Sequence, residues 1–313
     1  MEENRNVGMD REESRTVEMD SRIEQQKNWK IVRNRTCIRA GLIFLGVLGM
    51  QVVGGLALGV LLSVQAFLQS ETPSGMVQNL TGAYDNMGQY AILLSLICAL
   101  ASGTWCGILY WRSDWRVRPF DYRKAFPVGR VFMIAATVAG ACVLLTFFLG
   151  IIQQLLPAFF TNYNQLMETI SQGDMLLNIL YVVTIGPISE ELIFRGALFD
   201  RFYLVFSFWT ANILQAVLFG VYHMNVIQGV YAFLLGILLG MIRQMTGSIL
   251  STIFSHMIFN ATSYAISYIL TGAGAYAGAV LIGMVLLSVA AVAVGGRRIW
   301  KSCTKNLQNF QNN

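Results

Sequence analysis

Long uninterrupted apolar runs constrain this chain more than any other feature. The hydrocarbon core of a bilayer is about 30 Å thick and needs about 20 apolar residues per helix. Four runs meet that length: Gly41 to Leu68, Gln89 to Trp111, Val131 to Leu156, and Met175 to about Leu198. Four more follow at about Phe208 to Met224, Val226 to Ile242, Ser248 to Leu270 and Tyr276 to Val294, the first two being short. Hydrocarbon offers no water to unpaired backbone groups, so runs of this kind must be helical. The expected fold is all-α, a polytopic membrane protein with about eight transmembrane helices. Composition agrees, since 55% of residues are hydrophobic and only 12% charged, against about 25% charged in an ordinary soluble domain. With a mean hydropathy of +0.54, a soluble globule is excluded.

The charges lie beside the apolar runs and read as topology determinants. Of 22 Lys and Arg, 9 fall in residues 1–40, 6 in the Arg112 to Arg130 connection, one each at Arg195, Arg201 and Arg243, and 4 after Val294. All lie on alternate sides of the eight runs, while the connections around Glu71 and Asp85, Glu168 and Asp174, Asn225, and Thr271 to Gly274 hold none. By the positive-inside rule both termini are expected in the cytosol. The parts are then a polar cytosolic tail (1–40), three transmembrane helices (41–156), a membrane core (157–296) and a second cytosolic tail (297–313). An excess of five positive charges could signal nucleic acid. No aromatic-interleaved basic patch accompanies it, so the expected partner is a lipid bilayer and no nucleic acid. No signal peptide is expected, because the first apolar run begins some forty residues in. Cys37, Cys98, Cys106, Cys142 and Cys303 form no CxxC pair and are expected to be free thiols.

The first tail repeats itself, Glu2 to Asp10 recurring as Glu12 to Asp20, and has too few apolar residues to bury a core. Disorder or a solvated helix are the two readings. Gly55/Gly59, Gly236/Gly240 and Gly274/Gly278 each offer a small-residue notch for close helix approach.

Charge inside a membrane is expensive, so residues that keep it there are functional candidates. Glu190, Glu191 and Arg195 are three such residues, following Gly186-Pro187. Proline removes a backbone donor and clashes with the preceding turn. A kink or restart near Ser189 is therefore expected, putting the acids by a helix N-terminus that favours anions. On a helix Glu191 and Arg195 are i and i+4, about 40° apart, whereas Glu190 and Arg195 are about 140° apart. Glu191 and Arg195 can pair, leaving Glu190 to face a chamber. The bland alternative is a packing salt bridge with one spare acid.

Only two histidines occur, His223 and His256, both in apolar sequence. Phe219 precedes the first by one turn and Asn260 follows the second by one turn, on the same helical face. Counted from the Thr246-Gly247-Ser248 turn, His256 lies about 12 Å deep; counted back from Arg201, Glu190 lies about 16 Å deep. A straight helix from Phe208 would carry His223 about 22 Å in. Either the short fifth and sixth helices form a hairpin whose Asn225 tip stops inside the bilayer, or residues 196–207 lie partly in the interface.

Together these motifs resemble the CAAX-processing endopeptidases, the CPBP family of intramembrane proteases, which carry EExxxR, FxxxH and HxxxN. They stand here as Glu190 to Arg195, Phe219 to His223 and His256 to Asn260, in order, with Phe194-Arg195-Gly196 and Thr246-Gly247-Ser248 also similar. The resemblance covers about residues 175–270. It implies an integral membrane endopeptidase, expected in the plasma membrane, with an active chamber opening to the cytosol. Its site residues would be Glu190, Glu191, Arg195, His223, His256 and Asn260. Glu190 with His223 would activate a water, and His256 with Asn260 would hold the oxyanion.

Members are described both as zinc proteases and as metal-independent glutamate proteases. No HExxH is present, yet two His and one Glu could make a three-ligand site, so zinc stays open and no cofactor is assigned. An amide one turn from His256 favours the glutamate mechanism. The substrate is expected to be a membrane protein or peptide, a lipidated CAAX protein being one option. The rival reading is a catalytically silent immunity, scaffold or transport protein on the same fold.

Overall fold

The computed structural model describes residues 3–85, 87–112, 128–171 and 173–311. Most of the basic connection expected between Arg112 and Arg130, residues 113–127, lies outside them, as do the first two and last two residues. Among the described residues every regular element is helical: α1 Glu3–Leu68, α2 Pro73–Asp85, α3 Met87–Arg112 and α4 Val128–Leu155, a 3₁₀ turn Pro157–Phe160, then α5 Thr161–Ser171. Next come α6 Met175–Val205, α7 Phe208–Tyr222, α8 Val226–Thr246, α9 Ile249–Ala273 and α10 Ala277–Gln311.

Six stretches are long and apolar enough to cross a membrane, the last, Ile249–Gln308, taking in both α9 and α10. These two are separate helices, broken at Gly274, whose φ of 50° only glycine adopts freely. The fifth expected span, α7, has 15 residues and reaches about 22 Å, short of the hydrocarbon thickness. Two of the expected connections contain helices, α2 and α5. The polar tail, for which disorder and a solvated helix were the alternatives, is helical and continuous with the first span.

Val53, Leu56, Val60, Leu61 and Phe67 on α1 are exposed, an apolar surface that lipid tolerates and water does not. Buried within an apolar core that includes Phe44, Phe194 and Phe219 are charged and polar side chains, among them Glu191, Arg195, Asp200, Asn212, Gln215 and Arg243. The hub is α6, which touches α1, α3, α7, α8 and α9. Phe44 of α1 meets Phe194 of α6 edge-on at 6.4 Å, and Gly103 of α3 lies against Ser189 of α6.

Of the three expected glycine notches, one is used. Ala216 and Phe219 of α7 press on Gly236, and the Asn212 amide occupies the space a side chain at Gly240 would need. That amide donates to the Ile237 carbonyl at 3.1 Å, while Gln215 donates to the Gly236 carbonyl at 2.9 Å. Gly55, Gly59 and Gly278 have nothing near them; the close approaches of α1 come at Gly46, against Trp105, and Gly54, against Leu94 and Cys98. All five cysteines are free.

Gly240→Ala is therefore expected to displace Asn212 and destabilise the fold by about 1–3 kcal/mol, read as a lower thermal midpoint in detergent. Gly55→Ala should leave the midpoint unchanged. Equal midpoints for the two variants would contradict the α7–α8 packing.

Candidate functional site

The helix α6 carries the two acids without restarting. Backbone angles stay right-handed helical through Ile185, Gly186, Glu191 and Leu192, so the expected N-terminus near Ser189 is not formed. The physical reason is a change of hydrogen-bond spacing. Leu180–Ile185 and Leu192–Phe199 are π-helical turns flanking the α-helical Gly186–Glu191, and the Gly186 N–H reaches back five residues to the Tyr181 carbonyl. Wide turns accommodate Pro187 without breaking the rod, and such turns recur at functional sites.

Glu191 and Arg195 pair as their spacing predicts, Oε1 to Nη1 at 2.7 Å, with both side chains completely buried. The Arg195 guanidinium also lies over the Phe219 ring, 4.6 Å from its centroid, a contact that offsets part of its desolvation. Its Nε and Nη2 have no hydrogen-bond partner among the described residues.

His256 is held from the same acid. Its Nδ1 lies 3.0 Å from Glu191 Oε1, a carboxylate oxygen that can only accept from it. The other ring nitrogen, Nε2, lies 3.5 Å from Glu190 Oε2. Glu190 keeps a side-chain exposure of 13%, against none for Glu191, so the two neighbouring acids differ in accessibility as their angular separation requires. Glu190 thus lies beside His256, whereas the resemblance joins Glu190 with His223 through a water.

His223 stands at the end of α7, in the turn that leads to α8. Its Nδ1 meets the Phe219 carbonyl at 2.8 Å; a carbonyl only accepts, so Nδ1 carries the proton and Nε2 remains for other partners. Met224, with φ of 51°, closes this turn in a conformation costly for a side chain that is not glycine. Asn225 then caps α8 by accepting from the Gln228 N–H at 3.1 Å. The two helices meet at Gly220 and Gly229, each backbone against the other. α7 and α8 thus pack against one another as a hairpin.

Phe219, the first residue of its motif, organises the cluster. The rings of His223 and His256 stand edge-on to it at 5.0 and 5.7 Å, and Phe194 lies at 4.9 Å. Asn260, one turn beyond His256, donates to the Val182 carbonyl at 2.7 Å, tying α9 to the first wide turn of α6. One amide hydrogen of Asn260 remains for a ligand.

Zinc is the cofactor left open by the sequence. Among the described residues no three His, Cys, Asp or Glu side chains group as metal ligands would. Glu190 and His256 supply two donors, while the second nitrogen of His256 is engaged by Glu191. The arrangement does not fit a three-ligand zinc centre.

Comparison with known proteins gives one finding. Residues 172–262 match the family model described as Type II CAAX prenyl endopeptidase Rce1-like. An Rce1-like domain occupies this part of the chain. No curated protein and no solved structure matches. The Rce1-like segment takes in all six candidate residues together with Phe219 and runs from the start of α6 through most of α9. This match, together with stretches long and apolar enough to cross a membrane, points to an integral membrane protein.

Sequence reasoning missed a second buried ion pair at the end of the Rce1-like helix α6. Arg243 of α8, read as a basic flank, is buried and donates to Asp200 of α6 at 2.9 Å. Asp200 was the available signal, an acid in apolar sequence only nine residues beyond Glu191.

Glu191→Ala or Arg195→Ala should strand a buried charge and cost about 3–5 kcal/mol. Glu190→Gln should leave folded yield near that of the unaltered protein. Fluorescence-detected size exclusion measures all three, and equal losses would contradict the division of roles between the acids.

Proposed function

We propose that this protein is an intramembrane endopeptidase in which Glu190 acts as general base on a water beside His256. The observation that carries the reading is the Glu190–His256–Glu191–Arg195 series, in which one carboxylate stays accessible while the other is spent on a buried ion pair. A water between Glu190 and His256 Nε2 would give its proton to Glu190 as its oxygen attacks a peptide carbonyl. The carbon–nitrogen bond then breaks, and Glu190 returns the proton to the leaving amine. Asn260 donates its second amide hydrogen to the developing oxyanion, and His223, with Nε2 available, contacts the same substrate. Such donors act strongly where water is excluded.

Membrane-associated peptides or proteins are the substrates, with both termini of the protein on the cytosolic side of eight crossings and the plasma membrane as the site of action. The alternating basic connections support that orientation. Residues 41–156 would form a three-helix support and 157–296 the catalytic core.

The test is mass-spectrometric mapping of new peptide termini in membranes of cells producing the unaltered protein or Glu190→Ala at matched abundance. Termini found only with the unaltered protein are the expected result. Their absence under conditions where the protein is needed would refute proteolysis and leave binding on the same fold.

A further inference from the structure

We propose that the buried Asp200–Arg243 pair is a positioning device that sets the axial register between α6, which carries Glu190 and Glu191, and α9, which carries His256. The proposal rests on the protease reading for its functional consequence, though the register itself can be measured without activity.

Three contacts establish how α6 and α9 lie together. Gly196 packs against Ile249, Glu191 meets His256, and Asn260 meets the carbonyl of Val182. Numbers fall along one helix as they rise along the other, so the helices are antiparallel. At the end nearest Gly196 stands Arg243. Its Nη2 donates to Asp200 of α6 at 2.9 Å and lies 3.4 Å from the Tyr110 hydroxyl of α3; its Nη1 donates at 2.8 Å to the carbonyl of Gly247.

Gly247 links α8 to α9. It ends α8 in the left-handed conformation, φ 70°, and the next residue, Ser248, caps α9 by accepting from the Leu250 N–H at 3.2 Å. One guanidinium therefore grips the last part of α6 and the residue that launches α9. Asp200 lies nine residues beyond Glu191, and Gly247 nine residues before His256. The clamp and the Glu191–His256 contact are two polar rungs at matched spacing along an antiparallel pair. Asn306 of α10 braces the same corner by donating to the Gln244 and Met245 carbonyls at 3.0 and 3.2 Å.

Two rungs are needed because they do different work. Apolar helix faces in lipid have no hydrophobic force holding their register, and contacts such as Gly196 against Ile249 leave axial position loosely fixed. The Glu191–His256 rung lies at the proposed reaction site, where His256 Nε2 also faces Glu190 at 3.5 Å. Asp200 and Arg243 touch no reacting atom. A slip of α9 by one residue, about 1.5 Å, would move His256 Nε2 away from Glu190, and misplacement on that scale costs about a hundredfold in rate.

The experiment compares Arg243→Lys and Asp200→Glu, which conserve charge but change reach, with the unaltered full chain in lipid nanodiscs. The substrate is one identified by terminus mapping. Expected is a fall in kcat per folded molecule of about tenfold to a hundredfold, with KM within about twofold. Loss of folded yield with unchanged kcat per folded molecule would overturn the proposal in favour of a purely structural pair. A second arm reads register directly: Val182→Cys with Asn260→Cys, joined by a short thiol cross-linker and detected as a linked peptide by mass spectrometry. Cross-linking should fall severalfold when Arg243→Lys is added; an unchanged yield overturns the proposal. If the unaltered protein cleaves nothing, the protease reading fails, and the cross-linking arm alone decides the register.

Discussion

A guanidinium and a carboxylate enclosed between apolar helices must be satisfied by one another, and the Glu191–Arg195 pair is the point from which the packing of this protein can be followed. Its two side chains are wholly buried 2.7 Å apart. An unpaired charge in that position would cost several kcal/mol, so the elements around it are held to close tolerances. Phe219 covers the guanidinium, which fixes α7 against α6. His256 takes the same carboxylate oxygen, which fixes α9. With Glu191 committed, the adjacent Glu190 is the acid that remains accessible and chemically available.

The wide turns of α6 make this compatible with a helix that contains Gly186-Pro187. A break would have freed several backbone groups inside lipid, where each is costly. Five-residue spacing at Gly186 instead lets the rod continue. The carbonyl of Val182, within the first wide turn, receives the Asn260 amide. The same local feature thus preserves the span and supplies a docking point for the third motif.

Much of this was legible because it depends on residues close in sequence. The i, i+4 relation of Glu191 and Arg195 and the Thr246-Gly247-Ser248 turn, with glycine ending one helix and serine capping the next, are local chemistry that survives folding. Gly236 and Gly240 formed a notch because Ala216, Phe219 and Asn212 of α7 lie opposite. Gly55 and Gly59 share the same spacing and meet nothing, so spacing offers a notch while the neighbouring helix decides its use. Hydropathy does not distinguish four-residue from five-residue hydrogen bonding, so a kink or restart was expected where the backbone of α6 stays helical through wide turns. The approach of His256 to Glu190 and the pairing of Asp200 with Arg243 across 43 residues are set by tertiary packing, and the local sign of the second was an acid, Asp200, in apolar sequence.

The proposed hydrolysis uses a water activated by Glu190, with no covalent bond between enzyme and substrate. The most direct test is single-turnover cleavage by purified protein in ¹⁸O-labelled water, quenched on the reaction timescale and analysed by intact mass. The account predicts one labelled oxygen in the new carboxyl terminus and no peptide attached to the protein at any time. A transient acyl adduct on a serine, threonine or cysteine that decays as product appears would contradict it.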